Sequence, residues 1–124
     1  MEKRILIIEN DEDMEDVFKE IFSGKWDMIF FYEETDDIFE LIEKHQPNII
    51  ILDYNLNGKN GGELCKSIKK HPIYSDIPVL MLSAFPKFIY QNEDVGYDAF
   101  VEKPFDVEEL KMIVEQKIMD GSSR

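Results

Sequence analysis

Four separated places in the sequence carry side chains able to act together on a charged ligand. They are Glu9, Asn10 and Asp11, then Asp53 and Asn55, then Ser83, and finally Lys103. Each closes or directly follows a short apolar run, so each stands where a strand would end. Carboxylates and amide oxygens are hard donors of the kind Mg²⁺ takes, and Mg²⁺ keeps positions open for water and phosphate. The burst of acid after Ile5–Ile8, "ENDED", has a second reading as the solvated start of a helix, where acids are favourable. That reading suits Glu12, Asp13, Glu15 and Asp16. Glu9 and Asn10, at the strand end facing Asp53, read as part of a site.

Alternating elements position these residues. Ile5–Ile8, Met28–Tyr32, Ile49–Leu52, Val79–Leu82 and Ala99–Val101 are apolar runs that predict strands. Between them lie stripes at helical spacing: Met14, Val17, Phe18, Ile21 and Phe22; then Ile38, Leu41 and Ile42; then Leu64, Cys65 and Ile68. A last stripe, Leu110, Ile113, Val114 and Ile118, follows Asp106, which with Glu109 forms an N-terminal capping signature. The segment Phe85 to Gly96 holds only a loose stripe and predicts a short or irregular fourth helix. Continuous apolar strands alternating with helices mean a doubly wound α/β fold, a five-stranded parallel sheet covered on both faces. In such sheets ligands bind beyond the carboxyl ends of the strands. Residues from four distant parts of the chain therefore converge on one edge.

The 124 residues fit one domain, read as 1–120, with a polar tail at 121–124. The net charge of −13 argues against nucleic acid as a partner, since phosphate neutralisation needs a basic patch. No apolar run reaches the length of a membrane span and no signal-peptide pattern opens the chain. The single cysteine, Cys65, suits a reducing compartment, so the cytoplasm is expected, and its place on a helical stripe predicts packing. His45 and His71, single residues near helix ends, suggest neither metal binding nor phosphate relay. Trp26 reads as structural.

The motifs "ILIIEND", "IIILDYNLNGKNGGELCKSIKKHP", "IPVLMLSA" and "GYDAFVEKPF" together resemble the receiver domain of the two-component response-regulator family, from Lys3 to about Met119. The resemblance implies a flavodoxin-like fold with strand order 2-1-3-4-5. It implies that Asp53 is the phosphoacceptor, a carboxylate nucleophile forming an acyl phosphate with Mg²⁺. Glu9, Asn10, Asp53 and the backbone carbonyl of Asn55 match the metal-binding positions. Ser83 and Lys103 match the phosphate-binding positions, Phe100 the aromatic switch position, and Pro104 a cis peptide bond. The implied partners are a histidine kinase or phosphotransfer protein as donor and an unknown output protein, with no nucleic acid and no membrane. No output domain is expected after Met119. The implied role is a switch rather than an enzyme, with at most slow self-phosphorylation and self-dephosphorylation. Exposed ion pairs contribute only about 0–1 kcal/mol, so Lys103→Ala is expected to impair switching while barely changing melting.

Two departures stand out. Asn10 replaces the usual second acid, keeping an oxygen but losing a charge, so Mg²⁺ binding is expected to be weakened unless Asp11 swings in. The Ser83–Lys103 interval is also shorter than is usual in the family, and the deficit falls in the weak fourth-helix segment. Both motivate an alternative, a pseudo-receiver that serves as an interaction module without phosphate. A flavodoxin-type electron carrier is disfavoured because "ENDED" would repel a flavin phosphate. A hydrolase using Asp53 would need a cap insertion for which there is no room.

Overall fold

The structure, a computed structural model, describes residues 2–56, 59–86 and 94–122. The first apolar run is the interior of β1 (Lys3–Ile8), in which Ile5 to Ile8 are fully buried. α1 (Asp13–Ile21) follows, with Asp13, Glu15 and Asp16 in its first turn, where the helix dipole favours them. β2 (Asp27–Tyr32) then pairs in parallel with β1. α2 (Ile38–His45) begins at Asp37, whose carboxylate accepts the N–H groups of Phe39 and Glu40. It stops at Gln46, which adopts a left-handed conformation (φ 46°) just before Pro47.

β3 (Ile49–Asp53) is buried along its whole length. A two-residue antiparallel pair, β4 (Asn55–Leu56) with β5 (Lys59–Asn60), interrupts the alternation before α3 (Gly61–Lys70). β6 (Val79–Ser83), β7 (Ala99–Glu102) and α4 (Val107–Ser122) complete the described elements. Asp106 caps α4 by accepting the Glu109 N–H at 2.9 Å. α4 runs through Gly121 and Ser122, so these residues of the polar tail continue the helix. Of the segment expected to form an irregular fourth helix, 87–93 lie outside the described residues, and 94–97 have no regular structure.

One sheet holds β2-β1-β3-β6-β7 in that order, all parallel. Numbered among themselves these strands run 2-1-3-4-5, the expected doubly wound, flavodoxin-like topology. Two cores explain why the strands are apolar at successive positions. Ile5, Ile7, Ile49 and Ile51 face one side, against Phe18 of α1 and Leu110 and Val114 of α4. Leu6, Ile8, Ile50 and Leu52 face the other, against Ile42 of α2 and Cys65 and Ile68 of α3. A strand with helices on both faces has no side free for polar residues.

One expectation needs correcting. Val17 lies at the margin of the α1 stripe and is 36% exposed, so Phe18, Ile21 and Phe22 carry the burial. Trp26, read as structural, is 51% exposed with the Lys25 ammonium 5.1 Å from its ring centroid, and so lies at the surface. Its position just ahead of an edge strand leaves no second layer to cover it.

Candidate functional site

Parallel register aligns the strand ends. Asp53 is opposite Leu82, Ser83 is opposite Glu102, and the Lys103 N–H donates to the Ser83 carbonyl at 2.7 Å. Glu9 continues β1 by one residue, its N–H donating to the Tyr32 carbonyl at 3.0 Å. The carboxyl edge of the sheet thus carries Glu9, Asp53, Ser83 and Lys103 side by side. Glu9 and Ser83 are fully buried and Asp53 is 3% exposed.

The Lys103 ammonium joins two of the strands. It donates to Glu9 Oε1 at 2.7 Å and to Asp53 Oδ2 at 2.9 Å, across 94 and 50 positions of sequence. The peptide bond between Lys103 and Pro104 is cis. Asp53 Oδ1 accepts the Asn55 N–H at 3.1 Å, and Ser83 Oγ accepts the Phe85 N–H at 3.0 Å. One ammonium therefore serves two carboxylates. Glu9 Oε2 is buried and has no hydrogen-bond partner among the described residues. Burial first, then the neighbouring Asp53 carboxylate, pushes the Glu9 carboxyl up to about 7, against the lowering effect of Lys103. Burial pulls the Lys103 ammonium down, but its hydrogen bonds to Glu9 and Asp53 outweigh that and hold it above its ordinary value.

These partners overturn the expectation that Lys103 makes an exposed ion pair. Its side chain is 23% exposed, while those of Glu9 and Asp53 are 0% and 5% exposed, so the pair is inside the protein. Asp11 does not join the cluster. It is exposed and accepts the Asp13 N–H at 3.0 Å, at the start of α1. Asn10 is half-buried beside Glu9, and Asn55 is exposed on β4. Phe100, opposite Met81 on β7, packs half-buried against Tyr97 at a centroid distance of 5.5 Å.

The glycines after strand three have a role that spacing did not disclose. A Cβ on Gly61 would stand 2.0 Å from the Asp53 carbonyl oxygen, so only glycine lets α3 start so close to Asp53. The pair "GG" directly before a helical stripe was the available signal. Away from the edge, His45 stacks on Phe30 at 4.0 Å and its Nε2 lies 2.6 Å from the Tyr32 hydroxyl. His71 Nδ1 accepts the Ile73 N–H at 3.0 Å. Cys65 is fully buried, and burial pushes its thiol up to about 12. All three contribute packing or local hydrogen bonds.

The model of the response regulator receiver domain matches residues 5–115. The chain belongs to this family. A response regulator from Chloroflexus aurantiacus superposes with a TM-score of 0.85 at 23% identity, covering 96% of this chain and 99% of its own. A receiver domain protein from Methanospirillum hungatei gives 0.84 at 21% identity, covering 99% and 98%. The receiver domain of a sensor histidine kinase from Pseudomonas aeruginosa, solved with magnesium in its active-site cleft, gives 0.82 at 18% identity, covering 95% and 98%. These likenesses concern the fold. Receiver domains are signalling modules of two-component systems, generally not enzymes, and the family binds Mg²⁺ in its active site. In this receiver the residues at that edge fit a hard cation. Glu9, Asp53 and Ser83 offer oxygen donors there beside the Lys103 ammonium, and one buried carboxylate oxygen of Glu9 lacks a partner among the described residues. Among the described residues no helix is long and apolar enough to cross a membrane.

Proposed function

We propose that this receiver takes a phosphoryl group onto Asp53 from a histidine kinase or phosphotransfer protein and signals by contact with a separate output protein. The observation that carries this reading is the Lys103 ammonium held between Glu9 and Asp53, with the Ser83 hydroxyl on the adjacent strand. An Asp53 carboxylate oxygen attacks phosphorus, and the P–N bond of a phosphohistidine breaks as the new P–O bond forms. Lys103 then follows the charge from carboxylate to phosphate, and the Ser83 hydroxyl donates to a phosphate oxygen. Glu9, Asn10, Asp53 and the Asn55 carbonyl would hold Mg²⁺, which neutralises charge building up on the transferred group. Phe100, which has no hydroxyl, would report the change by moving between outward and inward positions. Self-phosphorylation from small donors and self-dephosphorylation would be slow.

The test is incubation with a small acyl-phosphate donor and Mg²⁺, followed by intact mass measurement. One phosphoryl group is expected, and Asp53→Asn should abolish it without unfolding the chain. An undiminished mass shift in that variant refutes the assignment. No shift in the native protein favours the pseudo-receiver reading, which rests on the short fourth-helix segment and on Asn10. The same residue sets a second expectation. Asn10 supplies an oxygen without a charge, and ligand charge tunes cation affinity, so Asn10→Asp should tighten Mg²⁺ on the order of tenfold. Calorimetric titration is the suitable readout, because Trp26 lies before the far end of β2. Unchanged affinity would place Asn10 outside the metal's coordination.

A further inference from the structure

The two edges of the sheet are unlike. β7 has four residues, ends in the exposed Glu102 and runs into Lys103 and Pro104, features that discourage strand addition. β2 has six residues, DMIFFY, with no proline and an apolar run from Met28 to Phe31. Among the described residues it pairs with β1 alone. The Lys3 N–H donates to the Trp26 carbonyl and the Glu9 N–H to the Tyr32 carbonyl, so even-numbered residues turn their backbone groups towards β1. By the alternation of a strand, Ile29 and Phe31 present N–H and C=O outwards. Along this edge Trp26 is 51% and Met28 37% exposed.

We propose that β2 is a self-pairing edge, where a second copy of this chain adds antiparallel about a two-fold axis at Ile29 and joins both sheets into one. Charge selects both the partner and the register. Lys25 precedes the strand and Glu33 follows it, both exposed, so the edge carries opposite charges at its two ends. Such an edge is complementary to its own antiparallel copy.

Antiparallel pairing must set outward-facing residues against outward-facing residues, which leaves few registers. Centred on Ile29, Met28 meets Phe30 and Asp27 meets Phe31 within the strands, while Lys25 and Trp26, in the turn closed by the Asp27 N–H on the Gly24 carbonyl, flank the copy's Glu33 and Tyr32 at each end. Ile29 exchanges both backbone hydrogen bonds with its copy, and the Phe31 N–H reaches the Asp27 carbonyl. Centred on Phe30, Asp27 would meet Glu33, a repulsive pair. Centred on Met28, Lys25 would meet Phe31 and no opposite charges would pair. The Ile29 register also covers the two exposed apolar side chains, with an aromatic pair across the strands. The site residues lie at the carboxyl ends of the strands, so this pairing leaves the two sites at opposite ends of the joined sheet, both open.

The experiment is sedimentation equilibrium of the unmodified protein over a wide concentration range, with Trp26 emission followed in parallel. A monomer–dimer equilibrium is expected, with Trp26 emission moving to the blue as the dimer forms. Lys25→Glu sets like charges together twice per dimer and should weaken association roughly tenfold, as should Glu33→Lys. The double variant Lys25→Glu, Glu33→Lys should restore it. A protein monomeric at every concentration overturns self-pairing and leaves the edge to a strand of another protein. A dimer indifferent to both single reversals overturns this interface.

Discussion

Lys103 shows most sharply how burial changes the meaning of a residue. On an exposed lysine the loss of an ion pair is nearly neutral, but here the ammonium compensates one fully buried carboxylate and one nearly buried. Removing one partner of a buried pair leaves an uncompensated charge, at a cost of about 3 kcal/mol or more. Glu9, already pushed up to about 7, limits that loss by taking a proton. Lys103→Ala should therefore lower stability by roughly 3 kcal/mol at neutral pH in a denaturant titration, and also remove the response to phosphorylation. Near-native stability would show that Lys103 does not sit between the carboxylates in solution.

Among the elements, α3 and β3 meet most closely. The Gly61 N–H donates to the Tyr54 carbonyl at 2.8 Å, while the Gly61 Cα lies against the backbone of Asp53. A methyl group there meets a carbonyl oxygen and not a yielding side chain, so either the helix start or the Asp53 backbone must move. Overpacking of this kind costs about 1–3 kcal/mol. Gly61→Ala should destabilise by about that amount and slow Asp53 phosphorylation several-fold, measured by the same mass assay. Full activity would mean that the approach of α3 does not position Asp53. A second tie acts at the opposite end of the sheet. Lys69 reaches the Ile77 carbonyl at 2.8 Å and pairs with Asp98, whose carboxylate also accepts the Val79 N–H at 2.8 Å. These bonds fix β6 and β7 at their starts, and with them the level at which Ser83 and Lys103 emerge.

At the scale of the molecule, a net charge of −13 is spread over a domain with a core on each face of one sheet. Compaction brings these charges together, and self-repulsion opposes the folded state. Salt shortens the range of that repulsion from about 30 Å at 0.01 M to about 8 Å at 0.15 M. The melting temperature should accordingly rise by a few degrees between those concentrations of a monovalent salt. A fall on adding salt would mean that favourable surface pairs, such as Lys19 with Glu15, dominate the electrostatics.

The order of elements, the two-faced sheet and the edge on which Glu9, Asp53, Ser83 and Lys103 gather were legible in the sequence. Buried parallel strands must be apolar at successive positions, and the first polar residue then marks where each strand emerges. Capping was legible for the same local reason, as Asp106 and Glu109 show. Spacing along the chain carried no information on who shares a proton or a charge with whom. That Lys103 reaches Glu9 as well as Asp53, that Asp11 turns to the backbone of α1, and that Trp26 remains at the surface were decided by tertiary structure. Each depends on distances between residues far apart in sequence, or on which flank of a sheet is left uncovered. Those quantities exist only once the chain has closed on itself.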